Sequence, residues 1–329
     1  MSDHPHHGGD LSGAEAKYGL PEAGWLDLST GINRIPYPVP DIGNEQWQRL
    51  PLATELNAVA EAARATYVVP KTAGLVVAPG TQAIIQWLPR LRKPGSVAIV
   101  GPTYAEHSQA WRRAGHSVLE VHSIEDAGTA DVVVVVNPNN PDGAETDTKK
   151  LIDTASRLAK RQGLLVVDEA FCDVSPGLSV IPQMPHPGLF VLRSFGKFFC
   201  LAGVRIGFGI GEDVVTSKLA DALGPWAIGG PALSIAATAL GDHNWQEETR
   251  ARLAEDAARL DTLLATAGLV IEGGTDLFRL VSHNDAASVA DKLGHAGILV
   301  RTFEDRPKLL RFGLPGSEEE WARLSKALK

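Results

Sequence analysis

A single lysine, Lys197, stands among phenylalanines in the stretch RSFGKFFCLAGVRIGF, which covers residues 193–208. An amine that apolar neighbours remove from water loses part of its proton affinity and gains nucleophilic character. Such an amine can form a Schiff base with an aldehyde. Taken alone, Lys197 is explained better as a snorkelling lysine whose stem lies on aromatic surface. Its interpretation as a catalytic amine therefore depends on the residues around it.

Four residues could bind an anion near this lysine. Ser194 and Arg205 lie on either side of Lys197 in the same stretch. Gly80 and Thr81 stand at the start of a predicted helix, where backbone N–H groups favour a phosphate. An amine beside an anion-binding group is what an aldehyde cofactor with a phosphate requires.

Three further residues match the ring of such a cofactor. Asp168 follows the apolar run LLVV, so its carboxylate would be buried at a strand end and would need a partner such as a protonated pyridine nitrogen. Tyr104 offers a flat ring for stacking, and Asn140 offers an amide donor for a phenolate oxygen. These residues predict a pocket for pyridoxal 5′-phosphate (PLP) with Lys197, Asp168 and Tyr104 as the catalytic residues.

The candidate residues lie where short apolar runs end. The runs are continuously apolar, as buried parallel strands are, and they cover residues 75–80, 96–102, 132–138, 164–170 and 190–195. Amphipathic segments at 81–91 and 148–163 predict helices between them. This alternation predicts an α/β fold with a mostly parallel central sheet flanked by helices. Ligands bind beyond the carboxyl ends of such strands, so we expect one convergent site.

The pattern changes after the segment GPWAIGGPA, at 224–232. We predict an N-terminal arm over 1–40 that contributes to a smaller domain, a large cofactor-binding domain over 41–228, and a small α+β domain over 229–329. A long helical stretch is expected at roughly 232–267. Strands are expected at 277–282, 298–303 and 308–314.

Composition excludes several classes of function. The formal charge of −8 argues against non-specific binding of nucleic acid. No apolar run approaches the ~20 residues that a membrane-spanning helix needs. The two cysteines, Cys172 and Cys200, do not indicate a disulfide framework, so we expect a reducing, cytoplasmic environment. No metal site is predicted.

Several ordered motifs resemble those of the fold-type-I, aspartate-aminotransferase-like PLP enzymes of class I/II. NPNNPDG (137–143), VDEAF (167–171) and SFGKFFCLAGVRIG (194–207) resemble their asparagine, aspartate and lysine motifs. The resemblance implies that Lys197 forms the Schiff base and that Arg311, in LLRFG, binds the substrate carboxylate. It also implies a homodimer with sites at the subunit boundary.

Within this superfamily the sequence most resembles the threonine-phosphate decarboxylase branch of cobalamin biosynthesis, and next the histidinol-phosphate aminotransferases. The segment HHGGD (6–10) resembles a His-Gly-Gly motif of that branch, which implies that His7 and Gly8 contact the substrate phosphate. The same resemblance places Gly31 and Asn140 near the substrate and Arg301 on its phosphate.

This resemblance implies decarboxylation of O-phospho-L-threonine to (R)-1-aminopropan-2-yl phosphate. The alternative is an aminotransferase acting on a phosphorylated or anionic amino acid, and a cofactor-binding protein without turnover is a third possibility. The choice between the first two depends on whether Arg311 holds the substrate carboxylate out of the plane of the cofactor. Phe171, where transaminases usually have a tyrosine, favours the decarboxylase branch, which also tends to carry phenylalanine there. Four residues depart from the family pattern: Gly196 replaces Ser or Thr, Leu50 replaces a tyrosine expected to reach the partner subunit, Gly31 replaces an asparagine, and Cys200 replaces a smaller or aliphatic residue.

Overall fold

The apolar runs of the sequence form strands in the computed structural model, which describes residues 8–329. The strands of this described part are β1 (Leu26–Leu28), β2 (Gly74–Ala78), β3 (Ser96–Val100), β4 (Ser117–Val121), β5 (Val132–Val136), β6 (Leu164–Asp168), β7 (Leu189–Ser194), β8 (Gly207–Gly211), β9 (Val270–Thr275), β10 (Phe278–Ser282), β11 (Ile298–Thr302) and β12 (Leu309–Gly313). Every predicted strand is present, with ends that differ by a few residues.

The helices of residues 8–329 lie between these strands and cover their faces. They are α1 (Leu11–Tyr18), α2 (Asn44–Gln48), α3 (Ala53–Thr66), α4 (Thr81–Trp87), α5 (Ala105–Arg113), α6 (Thr148–Ala159), α7 (Phe195–Phe198), α8 (Asp213–Leu223), α9 (Gly230–Gly241), α10 (His243–Thr266), α11 (Ala286–His295) and α12 (Glu318–Leu328). Over this part of the chain, none of the helices combines the length and the apolar character that crossing a bilayer requires.

The chain divides into two units. The larger unit consists of Pro36–Asn140 and Ala144–Gln246, and the smaller unit consists of the residues up to Ile35, Pro141–Gly143 and Glu247–Lys329. The changeover at Gln246 comes later than the predicted boundary after residue 228. Residues of α9 belong to the larger unit because they pack on α3, where the Thr66 hydroxyl donates a hydrogen bond to the Leu240 carbonyl (2.7 Å).

The larger unit contains a seven-stranded sheet in the order β2-β8-β7-β6-β5-β3-β4. All neighbouring strands are parallel except β8, which is antiparallel to both β2 and β7. Because β2 and β7 are each antiparallel to β8, they run in the same direction. The carboxyl ends of β2, β3, β5, β6 and β7 therefore lie along one edge of the sheet, as the sequence predicts.

Strand β8 (GFGIG) was not expected from its sequence because glycine weakens a strand. Its three glycines make room for close neighbours. A Cβ at Gly207 would lie 2.4 Å from the backbone nitrogen of Thr81, and one at Gly209 or Gly211 would lie 2.6 or 2.7 Å from the ring of Phe190. The glycines thus allow the start of helix α4 and the Phe190 ring of the neighbouring strand β7 to pack directly on β8.

The predicted helix over 232–267 is wrong in one respect, because two helices occupy this range. Helix α9 ends at Gly241, and α10 begins at His243. The carboxylate of Asp242 accepts a hydrogen bond from the backbone N–H of Trp245 (3.0 Å). A side chain that caps a helix start in this way interrupts a continuous helix.

The smaller unit contains a five-stranded sheet in the order β1-β11-β12-β10-β9. Strand β1 is parallel to β11, and the other neighbouring pairs are antiparallel. The register places Arg301 of β11 directly opposite Arg311 of β12. Two predicted substrate-binding residues are therefore cross-strand neighbours on one face of this sheet.

A buried ion cluster fixes the ends of two central strands in the larger unit. Arg193, near the end of β7, donates hydrogen bonds to Glu169 (3.1 Å) and Asp173 (2.8 Å). Glu169 also accepts hydrogen bonds from the Ser179 hydroxyl and the Val180 N–H (2.7 and 2.8 Å). The three charged side chains are at most 4% exposed. The cluster therefore ties the residue after β6 to β7.

Replacing Arg193 with Ala is expected to lower the free energy of unfolding by about 3–5 kcal/mol, because two carboxylates would remain buried without their cation. Denaturant unfolding measures this change. The matched control is Arg112→Ala, which removes an exposed arginine whose partner Glu120 is also exposed. An Arg193→Ala protein as stable as the control would contradict this account of the cluster.

Candidate active site

One cavity in the larger unit collects all eight residues that the sequence predicts for cofactor binding. The cavity contains about 750 Å³ of open space, including its mouth, which is within the range of ligand pockets. The eight residues line it together with Gln82, Phe171 and Gly196. They are Gly80, Thr81, Tyr104, Asn140, Asp168, Ser194, Lys197 and Arg205.

Lys197 lies in the single helical turn α7 and lines the cavity, whereas the phenylalanines beside it in sequence are buried. Phe195 and Phe199 are fully buried and stack on each other, with ring centroids 4.6 Å apart. Phe199 also stacks on Trp245 at 5.5 Å. The aromatic ring that Lys197 meets in the cavity is Phe171, whose centroid is 5.8 Å from Nζ. The neighbouring phenylalanines therefore pack in the core and fix the position of α7.

Asp168 is buried at the end of β6, and both of its oxygens have hydrogen-bond donors. The backbone N–H of Ala170 donates to Oδ1 (3.0 Å), and Nε2 of the buried His107 lies 2.8 Å from Oδ2. An ionised carboxylate only accepts hydrogen bonds, so Nε2–H of His107 is the donor. Sequence reasoning missed His107. Its position three residues after Tyr104, whose ring it contacts, was the available signal.

Arg205 and Gly80, both predicted to bind the phosphate, lie against each other in the cavity. Arg205 adopts a left-handed backbone conformation (φ 57°), and its Nη1 donates to the Ala202 carbonyl (3.2 Å). A Cβ at Gly80 would lie 2.7 Å from Arg205 Nη2, and the positive φ of Gly80 (80°) also favours glycine at this position. Backbone N–H groups near Gly80 and Thr81 are predicted to bind the anion, and that of Gly80 donates to the Ala78 carbonyl (2.7 Å). Gly80 therefore contributes space, whereas Arg205 contributes the charge.

Tyr104 precedes helix α5 and belongs to a chain of hydrogen bonds that sequence reasoning missed. The carboxylate of the buried Glu106 accepts from the Gln82 side-chain amide (2.7 Å). This contact directs the Gln82 oxygen towards the Tyr104 hydroxyl, which donates to it over a long 3.4 Å. Burial, followed by the nearby carboxylates of Glu106 and Asp168, raises the pKa of Tyr104 to about 12. The phenol therefore keeps its proton at neutral pH.

The predicted substrate residues of the described chain lie in the smaller unit, apart from Asn140. Arg311 is buried, and its Nη2 donates to the Ser29 carbonyl (2.8 Å). Burial and the neighbouring Arg301 lower the pKa of Arg311 to about 10. Gly8 lies against Ser29, and Gly31 is buried. His7 lies outside the described residues.

Residues 52–328 match the family model of class I and II aminotransferases. The chain belongs to this family. It is 44% identical to the threonine-phosphate decarboxylase of Pseudomonas aeruginosa, and the match covers 98% of this chain and 96% of that protein. It is also 44% identical to the threonine-phosphate decarboxylase of a Sinorhizobium species, with 98% and 97% of the two chains covered.

The fold is similar to that of the histidinol-phosphate aminotransferase from Clostridium acetobutylicum. The TM-score is 0.82 at 24% sequence identity, and the match covers 92% of this chain and 98% of that one. At this identity the similarity concerns the fold. It confirms the predicted fold class of the PLP-dependent transferases, with a largely parallel sheet flanked by helices.

The cavity of this aminotransferase-family protein fits PLP by its donor set and by its shape. It presents an amine at Lys197, a carboxylate at Asp168, an amide at Asn140 and a guanidinium at Arg205. The guanidinium occupies space that any side chain at position 80 would fill. These groups match the aldehyde, ring nitrogen, phenolate and phosphate of the cofactor.

Gly196, which replaces the usual Ser or Thr of the family, has a structural reason in this protein. A Cβ at position 196 would lie 2.7 Å from the Cα of Ala202. The segment after α7 therefore packs too closely on this residue to admit a hydroxyl-bearing side chain. Ser194, which is buried, and Thr81 both bring hydroxyl-bearing side chains to the lining of this cavity.

We expect Gly196→Ser to lower the free energy of unfolding by about 1–3 kcal/mol, because the backbone near Ala202 has to move. Thermal unfolding of the cofactor-free protein measures this loss. Gly203→Ser is the matched control, since a Cβ there would meet nothing within 4 Å. Equal melting temperatures for the two variants would contradict the proposed close contact.

Tyr104 is expected to ionise near pH 12, whereas an exposed tyrosine ionises near pH 10. Since its pKa is higher in the folded state, the neutral phenol stabilises the fold below pH 10 and this contribution is lost as the pH rises towards 12. The chain has four tyrosines, so phenolate absorbance of the wild type minus that of Tyr104→Phe isolates this residue. A Tyr104 signal centred at pH 10 would contradict its burial.

Proposed function

We propose that this protein decarboxylates O-phospho-L-threonine with PLP as its cofactor and releases (R)-1-aminopropan-2-yl phosphate. The observation that carries the proposal is the 44% identity with two threonine-phosphate decarboxylases over 98% of the chain. The cavity supports it, because the residues that would hold the cofactor line the same space.

When bound, PLP supplies an aldehyde for the amine and a ring that withdraws electrons from the substrate. Lys197 would hold the aldehyde, and Asp168 would keep the ring nitrogen protonated. Asn140 would donate to the phenolate, while Arg205 and Ser194 would bind the phosphate. His107 would hold Asp168 in place through its 2.8 Å contact. Tyr104 would pack against the ring, because its own proton is directed to Gln82.

Decarboxylation requires one proton from the protein. The bond between the α-carbon and the carboxylate breaks, CO₂ leaves, and the electron pair stays on the substrate side. The ammonium of Lys197 would then donate a proton to the α-carbon. Phe171 favours this role for Lys197, since its ring lies 5.8 Å from Nζ and offers no hydroxyl that would compete for the proton.

The substrate carries a carboxylate and a phosphate, and the smaller unit carries paired cations that suit such anions. Arg301 and Arg311 are direct cross-strand neighbours, an arrangement in which like charges repel. Burial of each guanidinium adds to this cost and lowers the pKa of both arginines. A bound anion would relieve the repulsion. We therefore propose that Arg311 binds the substrate carboxylate and Arg301 the substrate phosphate.

We also propose that the protein is a homodimer. Four large apolar side chains are exposed within a short segment of the larger unit: Trp47, Leu50, Leu52 and Leu56. Exposed apolar surface that is concentrated in this way is typical of a protein interface. Leu50, which replaces a family tyrosine, would contribute apolar contact there in place of a hydrogen bond.

Incubation with PLP and O-phospho-L-threonine is expected to release CO₂ without any need for 2-oxoglutarate. Lys197→Ala should lower this rate on the order of 10²–10⁴-fold, because the general acid is lost, and should abolish the absorbance of the covalently held cofactor. Lys71→Ala, at an exposed position, is the matched control. Keto acid that forms only with 2-oxoglutarate, without CO₂, would replace the decarboxylase by the aminotransferase.

A further inference from the structure

Ser29, which follows β1 in the smaller unit, connects the N-terminal segment to Arg311. Its hydroxyl oxygen accepts a hydrogen bond from the backbone N–H of Gly9 (2.7 Å). Its carbonyl oxygen accepts one from Arg311 Nη2 (2.8 Å). Its backbone N–H and its hydroxyl both donate to Oδ1 of Asp27 (2.8 and 2.6 Å). Ser29 itself is only 2% exposed, whereas its partners Gly9 and Asp27 are exposed and half-buried, respectively.

Asp27 determines the direction in which the Ser29 hydroxyl donates its proton. A serine hydroxyl has one proton and two lone pairs, and an ionised carboxylate can only accept. The proton therefore points to Asp27, which leaves a lone pair for the Gly9 N–H. Without this acceptor, the hydroxyl could rotate and present its proton to Gly9, where two donors would face each other.

The position of Ser29 brings the N-terminal segment close to the paired arginines. Leu28 of β1 is the register partner of Val300 in β11. The next residues along these parallel strands are Ser29 and Arg301, and Arg301 lies opposite Arg311. Three chain segments thus meet at one end of the smaller sheet.

Gly8 is part of the same contact. A Cβ at this position would lie 2.4 Å from the Ser29 carbonyl oxygen, the atom that accepts from Arg311. Any side chain at position 8 would therefore clash with the carbonyl group to which the guanidinium donates. The two adjacent glycines, Gly8 and Gly9, allow the N-terminal segment to pack closely on Ser29. Gly9 also has a positive φ of 86°, which favours glycine.

We infer that Asp27 and Ser29 form a hydrogen-bonded latch that positions Gly8 and Gly9 beside the Arg311 guanidinium. Ser29 is in this sense a positioning residue for the end of the substrate that Arg311 and Arg301 bind. This inference rests on the proposed function, because it assigns the arginines to an anionic substrate. The latch itself is a property of the free protein.

Hydrogen exchange of the Gly9 amide tests the latch directly, since this amide is the donor to Ser29. Ser29→Ala and Asp27→Ala should each speed its exchange about three- to tenfold in the cofactor-free full-length protein, which corresponds to one lost hydrogen bond. Asp27→Asn should stay within about twofold of the wild type, because the asparagine oxygen still accepts from Ser29. Asp147→Ala is the control, as it removes a carboxylate that accepts only from a backbone N–H of α6.

Steady-state kinetics test the positioning role separately. Ser29→Ala should raise KM for O-phospho-L-threonine about three- to tenfold with kcat within about twofold, because the carbonyl that holds Arg311 remains. Gly9 exchange equal to that of Asp147→Ala would overturn the latch. Faster exchange with an unchanged KM would overturn the positioning role. A wild-type protein that does not decarboxylate O-phospho-L-threonine would overturn the proposed function, while the exchange experiment would still judge the latch.

Discussion

Two consecutive carboxylates, Asp168 and Glu169, are buried at the end of β6, and the site depends on how the fold accommodates them. A buried carboxylate is tolerated only with a hydrogen-bonded or charged partner. Side chains of consecutive residues in extended backbone point to opposite faces of the sheet. One carboxylate therefore lines the cavity and is held by His107, whereas the other lies in the core and pairs with Arg193. The carboxylate that lines the cavity and the carboxylate that stabilises the core are therefore consecutive residues at the end of β6.

The partners of these carboxylates come from different elements, which makes the strand end rigid. Arg193 lies in β7, the direct neighbour of β6, and His107 lies in α5 after β3. Helix α5 contributes Tyr104 before its first residue, Glu106 in its first turn and His107 next to it. A single helix start thus orients the Tyr104 ring, the amide of Gln82 and the Asp168 carboxylate in the cavity. Such preorganised polar groups are the usual basis of catalytic electrostatics.

Glycines leave room for charged groups and for backbone segments around the site. Gly80 admits the Arg205 guanidinium, Gly196 admits the backbone at Ala202, and Gly207 admits the start of α4. In the smaller unit, Gly8 allows the N-terminal segment to share the Ser29 carbonyl region with Arg311. In each case the absence of a Cβ decides the contact. Substituting a larger residue would displace a cation or a strand even though no functional side chain is removed.

The sequence alone determined the buried strands, their common edge and the residue types at their ends, because a continuous apolar run followed by a polar residue is a local signal. It therefore predicted Lys197, Asp168, Asn140 and Arg205 for one cavity, and the structure places all four there. Tertiary packing decided which groups hold them. His107 meets Asp168 across 61 positions and Ser29 meets Arg311 across 282, and no local pattern encodes such pairs. The reason for Gly196, the glycine strand β8 and the helix break at Asp242 likewise follow from neighbours that only the folded chain brings close.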